Sequence, residues 1–205
     1  GQFFALNVLW PFFRYYHSAR EDNVTSWWLW PFFSRTVSDD QDSWTAMWPL
    51  IWWRNYRDPE GTHDQQTIVP FFSRIAKDNE DGSKERYWSL WPLFHHDEST
   101  DKDGQPVKSD WSLLSPLLGH KGLTYGLQEA YGFLWELARG IQRSPDDTAI
   151  DVAGRVYTQR SRNDGTTASM PFLFNYEEDE TGDRTLRLFQ FLQIPLGRSS
   201  SGDAK

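Results

Sequence analysis

The residues best suited to do chemistry lie together at His95-His96-Asp97-Glu98, which runs into Asp101-Lys102-Asp103-Gly104. On an extended chain alternate side chains share a face, so His95 and Asp97 point one way and His96 and Glu98 the other. Imidazole and carboxylate together suit a divalent cation, which makes His95, Asp97, Asp101 and Asp103 the candidate metal ligands. A tetrahedral zinc site needs further ligands that the local sequence does not supply. Asp101-Lys102-Asp103-Gly104 also has the form of half a calcium loop, without the third acidic position or the distant bidentate Glu of an EF-hand. A low-affinity Ca2+ site of extracellular type is thus the one cofactor expectation, and otherwise none is expected. A polar strand end entering a solvated hairpin turn accounts for the same residues, and the sequence favours that reading.

A second group is aromatic. Trp27-Trp28 and Trp52-Trp53 each place one indole on either face of a strand, where it can stack on a sugar or another flat ligand. Core and interface packing is the plainer use of the same rings. Arg35 and Arg74 each stand four residues past a proline, positioned to cap aromatic rings or to pair with acidic turns. These six residues are the candidate ligand-binding set. No Gly-x-Ser-x-Gly, phosphate-binding loop or dinucleotide fingerprint occurs, so no catalytic residue is assigned and the reading leans away from an enzyme.

What must position these groups is a repeat. Leu9-Trp10-Pro11-Phe12-Phe13 returns identically as Leu29-Trp30-Pro31-Phe32-Phe33, with variants at Met47–Ile51, Ile68–Phe72, Leu90–Phe94 and Leu114–Leu118. Successive prolines stand 18 to 24 residues apart as far as Pro116. The pattern resumes at Ser169-Met170-Pro171-Phe172-Leu173-Phe174, and degenerate copies fit near 133–135 and 152–154. Counting Leu186–Leu196, about ten units are expected. Clusters rich in Asp, Asn and Gly, such as Asp58-Pro59-Glu60-Gly61 and Asn163-Asp164-Gly165, separate the cores, and they carry turn chemistry.

The expected architecture is therefore all-β: an antiparallel up-and-down repeat sheet of about ten units of about twenty residues, barrel-like or stacked. Residues 1–205 read as a single β-repeat domain, with strong repeats at 6–118, degenerate repeats at 119–197 and a flexible tail at 198–205. In Thr25–Ser38 both strand faces are apolar for about seven residues, the signature of a strand covered on both sides at its middle. Proline cannot donate to a ladder. Either each proline marks a bend at one height in its unit, which is the expected reading for every strong unit, or the strand ends there and a second begins at the next Phe or Leu. Over 127–141, apolar residues at helical spacing compete with Gly126, Gly132 and Gly140, which disfavour helix, so helix and strand both stay open.

Composition narrows the partners. The 205 residues include twelve Trp, fourteen Phe and eight Tyr but no Cys, which removes disulfides and thiolate sites. The formal charge of −8 repels phosphate backbones, so nucleic acid is not an expected partner. A protein partner or self-association through the apolar bands is expected. No apolar run is long enough for a membrane-spanning helix, and the start shows no basic leader.

The alternation of Leu-Trp-Pro-Phe-Phe cores with Arg- and Asp-rich turns resembles a loose group of uncharacterised bacterial cell-envelope repeat proteins, well over 6–118 and poorly beyond. That resemblance implies an extracytoplasmic location in the periplasm or outer membrane, with outer-membrane lipid as a further partner and no assigned activity. A non-enzymatic scaffold or binding surface follows. The alternatives are an outer-membrane β-barrel serving as pore or anchor, and a carbohydrate-binding module using exposed aromatics.

Overall fold

The computed structural model describes residues 3–9, 11–19, 23–116, 126–127 and 130–198. Its strands are β1 (Phe3–Val8), β2 (Phe13–Ser18), β3 (Val24–Leu29), β4 (Phe33–Val37), β5 (Gln41–Ala46) and β6 (Ile51–Asp58). They continue as β7 (Gly61–Ile68), β8 (Phe72–Asn79), β9 (Lys84–Leu90), β10 (Phe94–Thr100), β11 (Pro106–Leu113) and β12 (Ala138–Ser144). The last six are β13 (Asp147–Val152), β14 (Tyr157–Arg162), β15 (Gly165–Met170), β16 (Phe174–Asp179), β17 (Asp183–Leu188) and β18 (Leu192–Arg198). All eighteen belong to one sheet. Each described register joins sequence neighbours, antiparallel, and the sheet is an up-and-down meander that is not closed. The chain divides into two compact units, Gly1–Trp91 with Ser99–Gln105, and Pro92–Glu98 with Pro106–Lys205.

Each clear unit is thus a whole hairpin with its proline in the turn, whereas Pro116 falls in the long β11–β12 connection. β3 ends at Leu29, Trp30-Pro31-Phe32 reverses the chain, and Phe33 opens β4 opposite Leu29. The strand therefore ends at the motif, the second of the two alternatives, and the bend is a full reversal. The physical reason is hydrogen bonding: a turn has no ladder position there for an N–H that proline lacks. The apolar residues on both sides of the motif therefore lie in exposed turns and not in a strand covered on both faces.

The two ends of the strands use different turn chemistry. At the far end aspartates organise the reversal. Asp58 Oδ1 accepts from the Glu60 and Gly61 amides at 2.8 and 3.1 Å, and Asp179 Oδ1 from Thr181 and Asp183 at 2.9 Å each. Such Asx turns are what the Asp- and Gly-rich clusters encode. Gly61 has φ +149°, and a Cβ there would lie 2.0 Å from the Asp78 carbonyl oxygen, so only glycine fits. At the other end the proline turns are bonded to one another. The Trp30 amide donates to Phe12 O at 2.8 Å, Trp48 to Pro31 O at 2.9 Å and Val69 to Leu50 O at 2.8 Å.

Over 127–141 both readings hold in part. Residues 126–127 and 130–131 are helical and Gly132–Leu134 is a 3-10 turn, whereas Ala138 opens β12. The degenerate copy at 152–154 does form a turn between β13 and β14, while 133–135 falls in the long β11–β12 connection. The tail assigned to 198–205 lies, from 199 on, outside the described residues.

Candidate functional site

Registers fix which side chains share a face, because residues directly opposite one another in a sheet project together. In β1–β9 the row nearest the proline turns reads Val8, Phe13, Leu29, Phe33, Ala46, Ile51, Ile68, Phe72, Leu90, apolar throughout. Two residues further along, on the same face, lie Leu6, Tyr15, Trp27, Arg35, Trp44, Trp53, Gln66, Arg74 and Trp88. The next row holds Asp42, Asn55, Asp64 and Arg86 among its members. This aromatic face grades from apolar, through aromatic and arginine, to a mixed row that also holds Phe4, Val37 and Ala76.

The opposite face is mainly polar. Its row from Arg14 runs Trp28, Ser34, Thr45, Trp52, Thr67, Ser73, Ser89. Cross-strand hydroxyl pairs stitch that face together: Ser34–Thr45 at 2.6 Å, Ser26–Thr36 at 3.0 Å and Thr67–Ser73 at 3.4 Å. The second unit repeats the scheme. Leu113–Ala138–Val152–Tyr157 and Met170–Phe174–Leu188–Leu192 lie beside its turns. Ser112–Arg139–Asp151–Thr158–Ser169 follow on the other face.

Of the aromatic candidates, the structure brings Trp27, Trp53, Arg35 and Arg74 into one row and places Trp28 and Trp52 on the reverse face. Along the row Trp27 leans on Phe33 with centroids 4.8 Å apart, Phe33 stacks on Trp44 at 6.4 Å, and Trp44 meets Trp53 edge-on at 6.2 Å. The Trp53 indole donates to Asp64 Oδ1 at 2.9 Å. Arg35 makes a forked pair with Asp42 at 3.0 and 3.3 Å, and Arg74 stands 3.9 Å from Asp64. Both arginines thus pair with carboxylates of adjoining strands. Leu6, Tyr15, Trp44, Gln66 and Trp88 complete the row; the indoles of Trp44 and Trp88 were missed by sequence reasoning, because only register makes them neighbours. Ile68 and Leu90 remain exposed at the end of their strands, as do Trp27 and Trp53.

The metal candidates are not assembled. His95 is buried in the second unit, where Ser112 Oγ lies 2.8 Å from its Nδ1 and Asp110 Oδ1 lies 4.0 Å from its Nε2. Asp97 lies on the same strand, and the neighbouring His96 faces Glu98 at 3.6 Å. Asp101 Oδ1 is occupied by the Asp103 and Gln105 amides at 2.9 and 2.8 Å, ordinary turn closure. Among the described residues no group of three His, Cys, Asp or Glu is placed to hold a metal.

Sequence reasoning also missed the most buried polar cluster. Asp110 and Ser112 on β11 are the least exposed polar residues among those described, and Arg139 on β12 and His95 are buried with them. Arg139 grips Asp110 with a bond of 2.7 Å from one terminal nitrogen and 3.2 Å from Nε. Burial holds the His95 imidazole below its ordinary value; Asp110 opposes that shift and Arg139 adds to it. Twenty-nine residues separate the partners of the ion pair, so nothing local announces it.

No protein-family model, curated protein or solved structure matches this chain.

Proposed function

We propose that this is a non-enzymatic β-repeat protein of the bacterial cell envelope, acting as a scaffold or binding surface whose aromatic face is completed by a partner. One observation carries the reading. Among the described residues Ala76 and Tyr87 are the only buried hydrophobic side chains, while the turn-end rows and the turns themselves stay largely open to solvent. A sheet with an apolar face is stable against a second layer, and the described residues supply none. Exposed apolar surface of this extent marks an interaction site.

The barrel alternative draws on the same alternation of apolar and polar faces. Strands of five to eight residues fall short of the roughly nine to eleven that cross a bilayer, and the sheet is not closed, so the geometry favours the scaffold. Among the described residues no helix is long and apolar enough to cross a membrane, which says nothing of strands. A carbohydrate module would use the Trp27–Trp53 row, yet its rings already lean on one another.

The test is self-association and partner capture compared between faces. Trp27→Ser with Trp53→Ser should abolish association seen by light scattering and cross-linking in envelope extracts, while Trp28→Ser with Trp52→Ser should leave it intact. Equal behaviour of the two double variants would remove the face assignment.

A further inference from the structure

The partner of the proline-turn end can be read from how side-chain character changes along the strands. In the first unit the tips Phe12, Phe32, Leu50 and Phe71 are all exposed, with Phe32 and Phe71 each 58% accessible. These tips project beyond both faces of the sheet. A protein packed on the aromatic face would meet apolar residues on that face alone. One residue from the strand ends the opposite face already mixes hydroxyls with indoles, Ser34 and Thr45 standing beside Trp28 and Trp52. The turns are thus apolar throughout and the strands just behind them carry indoles on both faces, as expected for a rim entering a slab of hydrocarbon with tryptophan at its interface.

The next row has the residues of a membrane interface. Its indoles sit beside Arg35 and Arg74, whose side chains are 46% and 50% exposed. Trp and Tyr favour the headgroup level, and arginine stems cover apolar surface; the guanidinium groups are held only by exposed pairs with Asp42 and Asp64, which are worth little and can be exchanged for phosphate. That row stands two residues, about 7 Å, beyond the apolar row, and the turns add a few ångströms more. Such a depth matches interfacial elements, which bury about 5–10 Å, and lies within one leaflet of a core about 30 Å thick. At the far end the turns carry Asp39, Asp40, Glu60, Glu80 and Asp81, so the negative charge is held away from a lipid surface.

We propose that the proline-turn end of the first unit inserts edge-on into one leaflet of an anionic phospholipid membrane, to the depth of the row holding Trp27, Arg35, Trp53 and Arg74. The second unit presents similar tips at Phe172 and Phe191, 76% and 85% exposed. This inference rests on the binding-surface reading and names its ligand.

The full chain is floated with vesicles of phosphatidylglycerol mixed with phosphatidylcholine, and with vesicles of phosphatidylcholine alone. The protein should rise with both and more tightly with the anionic ones. Lipids brominated along the acyl chain should quench its tryptophan fluorescence, a measurement that needs no variant. Phe32→Asp and Phe71→Asp, at exposed tips, should each lower vesicle affinity by about tenfold, the low end of what burying a Phe side chain contributes. Arg35→Gln with Arg74→Gln should remove the preference for anionic vesicles. Protein that stays in the aqueous phase, quenching that is absent, or tip variants that float like the parent would overturn the proposal. Absence of vesicle binding with self-association intact would sink the lipid assignment alone; loss of both would sink the binding-surface reading with it.

Discussion

Asp110 is 1% exposed and its guanidinium partner Arg139 only 7%, so this ion pair lives almost wholly outside water. Removing one member leaves a buried charge uncompensated, which typically costs 3–5 kcal/mol. Arg139→Met is therefore expected to destabilise the second unit by about that much, and adding Asp110→Leu should recover most of the loss. Urea titration of the three variants checks this, and a double variant as unstable as the single would show that the pair is not the issue. His95 supplies the pH dependence. Burial depresses its folded value below the unfolded one near 6.5, so the folded state favours neutral imidazole and the unfolded state takes up the proton first. The stability it contributes is complete above about pH 6.5 and declines as pH falls below that value. Thermal midpoints should therefore drop between about pH 7 and 5, and His95→Asn should flatten that part of the curve. The depressed carboxylates at Asp58, Asp81 and Glu178 lose their contribution only as pH falls from the ordinary carboxylate range downward, and so do not confuse the window.

At the scale of the element the hairpin is the repeat, and its two turns do different work. Acidic turns are closed by their own aspartates, whereas proline turns are closed by their neighbours. Because Trp48 donates to Pro31 O and Met47 to Phe32 O, adjoining proline turns share backbone bonds at 2.9 and 2.8 Å. Pro31→Val and Pro49→Val should each cost about 0.4–1 kcal/mol by freeing the unfolded chain. The double variant should lose more than their sum, since sites sharing a backbone feature do not add independently. Strictly additive thermal shifts would show that the turns behave separately. The sequence made this element legible through the five close copies of Leu-Trp-Pro-Phe-Phe and the aspartate clusters between them. It left open where the strand ends, because an apolar run reads alike whether it is a doubly covered strand middle or a turn exposed on both sides. The cross-strand rows were not legible. Trp27, Arg35, Trp44 and Trp53 lie 26 residues apart end to end, and only the register Trp27–Arg35–Trp44–Trp53 makes them adjacent.

For the whole molecule, weak repeat copies and the scarcity of tryptophan over 119–168 predict faster hydrogen exchange there than in 25–95. The burial pattern predicts a different profile. No described residue of β1–β6 is buried, whereas Thr67, Ala76, Tyr87, Ser89, His95, Asp110, Ser112 and Arg139 all are. Nor is any described residue of β13–β18 buried. Protection follows dense packing and shielded backbone bonds, and fraying begins where both are sparse. Protection is therefore expected to peak over β7–β12 and to fall toward β1–β4 and β16–β18. β12, inside the stretch of weak copies, should exchange more slowly than β3 and β4, which carry the strongest one. The reason is that the strong motif encodes turns and an exposed rim, while burial in this chain comes from polar contacts such as Asp110–Arg139 that a repeat search does not register. Adding anionic vesicles should then reverse part of the order, slowing exchange at Trp30, Trp48 and Val69, whose amides lie at the rim, and leaving β12 unchanged. A profile flat along the chain, or slowest at β3 and β4 without lipid, would mean that the apolar rim is covered within the free protein.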